Sequence, residues 1–236
     1  MPINQKWVRK IYLKELASEY EWFDGVVRAK ARNPRKYENI QSKSRNRPRG
    51  FLDINNIPTE KIWFTSDQHY GHKNIIEFSN RPFVGVGHMS QRLVELHNEK
   101  ISDDDIIFYV GDLAFGGVEY ANEVLKHLNG YKILVVGNHD FAGKKLMALD
   151  FDETHLNYAL ERDKQKFLIT HFPFGEVPQG YRNIHGHIHA ASPEIFKGEE
   201  YYNANVEFND YRPVNLQRIM DCVYQYSPVF ENLPDK

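Results

Sequence analysis

Cysteine is nearly missing from this chain of 236 residues: Cys222 stands alone, so no internal disulfide can staple the fold. Long apolar runs are missing too, and nothing approaches the roughly 18 consecutive apolar residues of a membrane span. The opening MPINQKWVRK is polar and basic, without the apolar core and small-residue cleavage site of a secretory leader. These absences lead us to expect a cytoplasmic protein with no membrane partner. No charge of one sign dominates either, since 30 Lys+Arg face 32 Asp+Glu for a net charge of -2, and bulk charge implies no polyelectrolyte partner. What is present, 41% hydrophobic and 14% aromatic residues, excludes a disordered or fibrous chain. The length suits one domain with a sizeable core, or one domain plus an appendage.

Charge is unevenly spread along the chain. Residues 1–50 hold 13 Lys/Arg against 5 Asp/Glu, a surplus of +8, which leaves -10 for the remainder. The break suggests a basic N-terminal extension over 1–55 and a main domain over 56–236. Within the extension, Val8, Ile11, Tyr12, Leu16 and Phe23 recur at near-helical spacing, which predicts an amphipathic helix over about 5–28. The following ARNPRKYENIQSKSRNRPRG is polar, basic and interrupted by Pro34 and Pro48, as in an exposed loop. Such an arm is either a solvated extension packed on by its helix or an attractor of nucleic-acid phosphates. The absence of nucleic-acid-binding motifs favours the first.

From residue 60 onward one pattern repeats. KIWFTSDQH, DIIFYVGD, KILVVGNHD, KFLITH and NIHGHIH each run through a buried type of strand and then present Asp, Asn or His just past its end. Helix-like segments lie between some of them. MSQRLVELHNEKI puts Met89, Leu93 and Leu96 on one side, and VEYANEVLKHLNG does the same with Val118, Ala121, Val124, Leu125 and Leu128, with Gly130 as the expected C-cap. Alternating strands and helices predict a layered α/β fold, in which ligands collect beyond the carboxyl ends of the strands.

The groups expected to converge there are Asp67, His69, Asp112, Asn138, His139, His171, His187 and His189. A lone Asp-x-His or His-x-His is weak, because residues i and i+2 of a strand share a face and such pairs are often mere surface polars. Together the eight have the inventory of a two-metal site. Imidazole, carboxylate and carboxamide without thiolate suit two divalent ions, Mn above all, with Fe, Zn, Ni or Co also acceptable. Two such ions, the carboxylates of Asp67 and Asp112 and a bridging hydroxide sum to +1, a charge that attracts a phosphate oxyanion. Metals about 3.5–4 Å apart that generate hydroxide near neutral pH fit phosphoester hydrolysis. His139 is left without ligand duty, to act as general acid on the leaving oxygen or to hold the phosphate.

The ordered blocks Asp67-x-His69, Gly111-Asp112, Gly137-Asn138-His139-Asp140, His171 and Gly186-His187-x-His189 resemble the calcineurin-like metallophosphoesterase superfamily over about 62–190. The wider text FTSDQHYGHKNII resembles a group of small bacterial and phage phosphoesterases within it. The resemblance implies a four-layer α/β/β/α sandwich of two mixed sheets. It also implies Asp67, His69 and His189 on one metal, Asn138, His171 and His187 on the other, Asp112 bridging both, and His139 at the substrate phosphate.

One departure from the family pattern bears on the substrate. Protein phosphatases of the superfamily continue past the bridging Asp with a second Asp and an Arg, where this chain has Phe115 and Gly116. The missing Asp would orient the catalytic histidine and the missing Arg would clamp a phosphomonoester dianion. A phosphodiester of nucleotide or nucleic-acid type is therefore expected over a small nucleotide or sugar monoester. A non-catalytic binding scaffold, the alternative from another class, is disfavoured because all seven expected ligands are present. Arg81, Arg182 and Lys73 remain as alternative cations on other loops. His72, Lys73, Asn74 and Arg182 are the candidate substrate contacts. The aromatics Phe172, Phe174 and Tyr181 suit either a base-stacking wall or core packing. The resemblance leaves His185 outside the ligand set, and His88, His97, His127 and His155 are expected to be structural or exposed. ANVEFNDYRPVNLQRI reads as strand, turn and polar connection, with Tyr211-Arg212-Pro213-Val214 closing the sheet and nothing that demands chemistry.

Overall fold

A computed structural model describes residues 20–23, 26–29, 54, 57–140, 143–189, 196 and 198–222. Among them, no helix is long and apolar enough to cross a membrane. The strands are β1 (Tyr20–Phe23), β2 (Val26–Ala29), β3 (Ile62–Thr65), β4 (Ile106–Tyr109), β5 (Tyr131–Val135), β6 (Glu153–His155), β7 (Tyr158–Arg162), β8 (Gln165–Ile169), β9 (Tyr181–His185), β10 (Tyr201–Asn203) and β11 (Val214–Asn215). The helices are α1 (Ile75–Phe78), α2 (Val86–Asn98), α3 (Val118–His127), α4 (Gly143–Leu146) and α5 (Leu216–Asp221).

Two mixed sheets result. The larger has the order β1-β2-β6-β5-β4-β3-β11 and the smaller β10-β9-β8-β7. In the larger, β3, β4, β5 and β6 run parallel, while β11 and β2 add antiparallel strands at either side. In the smaller, β8, β9 and β10 are parallel and β7 pairs antiparallel with β8 across a tight turn. The two residues of that turn, Asp163 and Lys164, both have positive φ, as a two-residue hairpin matched to strand twist requires.

Strand alternation decides which side chains build each core layer. Ile62, Phe64, Phe108, Val110, Ile133 and Val135 face the smaller sheet, where they meet Leu160, Phe167, Ile169, Ile184 and Tyr202. The intervening Ile107, Tyr109, Leu134 and Val136 face the other way, against Met89, Leu93 and Leu96 of α2 and Ala121, Val124 and Leu125 of α3. The two-residue period of the strands thus meets the helical period of α2 and α3 across one layer. The α/β class with two mixed sheets and flanking helices is as the resemblance implies.

Two local expectations fail. The helix expected over 5–28 gives way, at its described residues, to an antiparallel pair in which Phe23 opposes Val26, and β2 joins the larger sheet where Arg28 pairs with His155. Tyr20, Trp22, Phe23, Val26 and Val27 are aromatic or β-branched strand formers, and Asp24-Gly25 between them is a hairpin signal that outweighs the helical spacing. Residues 5–19, and the expected loop over 31–50, lie outside the described residues. Gly130 is not the cap of α3, whose C-cap is Leu128 in an extended conformation. Gly130 sits two residues further on at φ 94°, and a Cβ there would lie 2.8 Å from Ile101. It is required by the close turn into β5.

His97 is a buried member of α2. Its ring stacks on Tyr109, with centroids 6.0 Å apart, and Nε2 lies 3.1 Å from the Asn129 carbonyl. Burial pushes its imidazole down to about 4, against the opposing bond to Asn129. The folded chain therefore binds fewer protons at this group than the unfolded chain between about pH 6.5 and 4, so stability contributed above that window is lost as pH falls through it. We expect His97→Gln to flatten the acid side of the stability profile of metal-free protein between pH 6.5 and 4, by on the order of 3 kcal/mol. Urea denaturation at stepped pH reads this, and a variant with the wild-type slope would contradict it.

Candidate metal centre

The parallel strands deliver their polar ends to one place. Beyond β3 come Asp67 and His69, beyond β4 Asp112, beyond β5 Asn138 and His139, beyond β8 His171, and beyond β9 His187 and His189. Pairing continues past the strands: Asp67 N donates to Gly111 O at 3.0 Å, His69 N to Asp112 O at 3.1 Å, and Gly186 N to His171 O at 3.0 Å. The two sheets are stitched here, with His187 N donating to Asp67 Oδ2 at 3.0 Å and Val206 N to Ser66 O at 3.1 Å.

Strain concentrates at this end. Ten non-glycine residues have positive φ among the described residues, and five of them are Asp67, His69, Asp112, His187 and His189. Each such conformation costs on the order of 1 kcal/mol and persists only where its surroundings enforce it. Two glycines show how tightly they do. A Cβ on Gly186 would lie 2.0 Å from Ser66 Oγ and 2.4 Å from Asp67 Oδ2, and one on Gly137 would lie 2.3 Å from Asp112 Oδ1. The glycines of the GH and GNHD blocks are there because carboxylates occupy the space a side chain would need.

Asp67 is fully buried, and its two oxygens have different fates. Oδ2 accepts from Ser66 Oγ at 2.5 Å and from the His187 amide, whereas Oδ1 is turned toward His189 Nε2 at 3.6 Å and His69 Nε2 at 3.9 Å. Asp112 Oδ1 accepts from His139 N at 2.8 Å, and Oδ2 lies 3.4 Å from His171 Nε2 and 3.7 Å from His69 Nε2. His171 Nδ1 is 2.8 Å from the Val110 carbonyl and Nε2 is 3.0 Å from Asn138 Oδ1. His187 packs its ring 5.2 Å from that of His171, under Phe172 at 4.3 Å.

Two overlapping donor groups emerge. Asp67, His69 and His189 each offer one ligand atom within 4.8 Å of the others, and so do Asp67, Asp112 and His171. These residues fit a cation on an observation independent of their spacing. Asp67 Oδ1 and both ring nitrogens of His69 are buried without a hydrogen-bond partner among the described residues. A buried polar atom left unpaired costs about 1–3 kcal/mol, which a coordinated cation would offset. Oxygen and nitrogen donors without sulfur suit a divalent ion.

Electrostatics agree. Burial pushes His69 down to about 2, overriding Asp112, and pushes His187 down to about 3, with His171 adding to the effect. Both imidazoles are thus neutral and able to donate a lone pair. Burial raises the Asp67 carboxyl, against His171 and His189. At Asp112 burial is outweighed by His171 and His69, which hold the carboxyl below its usual range. His171 shows the converse: burial disfavours its charge, but Asp112 outweighs it and pushes the imidazole up to about 9. Without a cation, a proton on His171 is what compensates Asp112.

Three residues to which the sequence reading gave no part in positioning the cluster hold this geometry. Asp140 accepts from Gly137 N at 2.7 Å and from Asp112 N and Leu113 N at 3.0 Å, tying the ends of β4 and β5 together. Its place in GNHD was the available signal. Glu207, in the stretch after residue 203 that the sequence left without a demand for chemistry, meets His189 Nδ1 at 3.2 Å. Arg81 forms a buried ion pair with Glu207 at 2.7 Å and donates to the carbonyls of Asp67 and Gln68, both at 2.7 Å, so it is no phosphate clamp.

The candidate substrate contacts divide. The His72 ring lies 5.5 Å from His69 and stacks on Phe115 at 4.0 Å, while Lys73 and Asn74 are exposed on the same loop. Arg182 is not brought to the cluster. It lies at the opposite end of β9, where its guanidinium donates to the carbonyls of Ile219, Cys222 and Glu199. His185 lies within β9, fully buried, with Nδ1 3.0 Å from the Gly186 carbonyl. Phe115 stands 5.0 Å from the exposed ring of His139.

Gly186→Ala is the sharpest test of this packing. The added methyl must displace Ser66 and Asp67, so we expect a loss of about 1–3 kcal/mol in stability together with loss of bound metal. Thermal melts and metal content of the purified variant read both. A variant that keeps its metal would show that Asp67 is not held as described.

Residues 60–221 match the profile of the calcineurin-like phosphoesterases. The chain is 32% identical over 171 residues to the uncharacterized protein MJ1445 of Methanocaldococcus jannaschii, covering 69% of this chain and 91% of that one. It is 37% identical over 82 residues to the gene 66 protein of Mycobacterium phage D29, covering 34% of this chain and 40% of the phage protein. A solved protein of unknown function from Aquifex aeolicus, AQ665, superposes with a TM-score of 0.56 at 27% identity, over 68% of this chain and 97% of that one. With the profile running from β3 to β11 and covering every strand end described above, the chain belongs to the calcineurin-like phosphoesterase family of metal-dependent hydrolases.

Proposed function

We propose that this chain is a dinuclear phosphoesterase that hydrolyses a phosphodiester of nucleotide or nucleic-acid type. Asp67, His69 and His189 would hold one divalent ion, Asn138, His171 and His187 the other, and Asp112 would lie between them. When bound, two such ions, Mn being our first choice, lower the pKa of a water and neutralise charge on the phosphoryl oxygens. The chain's own part is to orient and to move a proton. Asp112 Oδ2, 3.7 Å from His69 Nε2 and 3.4 Å from His171 Nε2, faces both donor groups. His139, whose amide is fixed on Asp112 Oδ1 at 2.8 Å, presents an exposed imidazole at the mouth of the cluster. There it would protonate the leaving oxygen. His72, Lys73 and Asn74, on the loop after β3, would contact the substrate.

The preference for a diester rests on the surroundings of His139. An aromatic ring, Phe115, stands at 5.0 Å where a carboxylate would orient the histidine, and Arg81 and Arg182 are both committed to protein carbonyls. A singly charged diester needs less compensation than a monoester dianion. Aromatic rings flank the histidines on two sides, Phe115 beside His139 and Phe172 beside His187, which suits stacking of a base.

A hydrolysis screen with added Mn tests the proposal, comparing chromogenic diester and monoester and then cyclic dinucleotides and short nucleic acids. We expect faster diester cleavage, near-complete loss in Asp112→Asn, and a fall of roughly 10²–10⁴ in His139→Ala with metal content unchanged. Monoester preference would overturn the argument from Phe115. Silence toward every substrate by metal-loaded protein would favour a binding scaffold.

A further inference from the structure

Glu207 is 1% exposed and Arg81 4% exposed, so their ion pair is held entirely inside the protein. Burying two charges costs several kcal/mol before their attraction is counted, and such a pair is weak evidence for stability alone. What the pair touches is therefore the informative part. Arg81 Nε donates to Glu207 Oε1 at 2.8 Å, Nη2 meets the same oxygen at 2.7 Å, and the remaining donors reach the carbonyls of Asp67 and Gln68. Glu207 Oε1 also faces His189 Nδ1 at 3.2 Å. The carboxylate is fixed from its own backbone, since Glu207 N donates to Asn205 Oδ1 at 2.9 Å, and Asn205 forms an isolated bridge with Ser66. The network thus reaches His189 directly through Glu207 and Asp67 through Arg81, two members of one donor group.

We propose that Glu207 is a positioning residue for that group: it holds His189 as the Nδ1–H tautomer with Nε2 turned toward Asp67 Oδ1, and Arg81 carries the same constraint to the backbone of Asp67. The inference rests on reading the cluster as a metal centre. An imidazole offers a metal only the nitrogen that bears no proton, so a carboxylate accepting from the other nitrogen selects the competent tautomer and fixes the ring plane. Outer partners of this kind are worth about 10- to 100-fold in metal affinity. Glu207 Oε2, buried and without a hydrogen-bond partner among the described residues, shows that this carboxylate is not placed to satisfy itself. Its retained contacts are those that aim His189 and anchor Arg81.

The test has two parts. Nitrogen NMR of the metal-free wild type should show His189 protonated on Nδ1, and an Nε2–H tautomer would overturn the proposal whatever the variants do. Calorimetric titration with Mn of wild type, Glu207→Gln and Glu207→Asp should then show two binding classes. In both variants one class should weaken by about 10- to 100-fold while the other holds. Glu207→Asp keeps the charge opposite Arg81 and withdraws it from His189, so it serves if the amide variant does not fold. In a His189→Ala background, Glu207→Asp should cause no further loss. Folded variants with wild-type affinity in both classes would overturn the role of Glu207 and leave the metal centre standing. A wild type that binds no metal would instead remove the reading on which the inference rests.

Discussion

The carboxylate of Asp67, buried to the last atom between two sheets, is the constraint on which the polar end of this molecule depends. A carboxylate without water must be compensated, and this one is only half compensated by protein. Ser66 and the His187 amide satisfy one oxygen, while the other is left facing His69 and His189. The orphaned oxygen, the neutral histidines around it and the second carboxylate of Asp112 all call for a positive charge that no nearby side chain among the described residues supplies permanently. The buried cation closest by, Arg81, is turned to the carbonyls behind Asp67 and to Glu207. A divalent ion answers that demand in a way that an additional hydrogen bond cannot.

The fold makes such a centre affordable by separating its stability from its chemistry. Apolar layers on both faces of the larger sheet fix β3, β4 and β5 in parallel register, and their carboxyl ends then have no freedom to avoid one another. Left-handed backbone at Asp67, His69, Asp112, His187 and His189 is tolerated because strand pairing and glycine contacts hold it on both sides. Asp140 and Glu207 act as struts behind this end. One spans β4 and β5 through backbone amides, and the other joins the last donor, His189, to the first, Asp67, by way of Arg81.

Much of this was legible in the sequence because it is local. Short apolar runs ending in Asp, Asn or His declared the strands and the polar side chains that meet beyond them, and α2 and α3 followed from the spacing of Met89, Leu93, Leu96, Val124 and Leu125. What stayed hidden depends on distance along the chain. Nothing near Glu207 announces a partner 18 residues back, nor does Arg81 reveal a carboxylate 126 residues ahead. Arg182 looked available for a phosphate because its strand leads to His187 and His189, yet it sits at the other end of that strand and bonds to carbonyls at the end of α5. The segment around Asp24-Gly25 misled for a different reason. Its spacing was helical, but its residue types were those of strands, and pairing with β6 supplied the tertiary contact that propensity alone leaves open.

The central claim is that seven donors from five strand ends form one two-ion centre. Anomalous diffraction at the Mn edge, from crystals grown with Mn, tests it most directly. Two peaks about 3.5–4 Å apart, one beside Asp67, His69 and His189 and the other beside Asn138, His171 and His187, with Asp112 between, are the result the account predicts. A single peak, or ions bound away from Asp112, would contradict it.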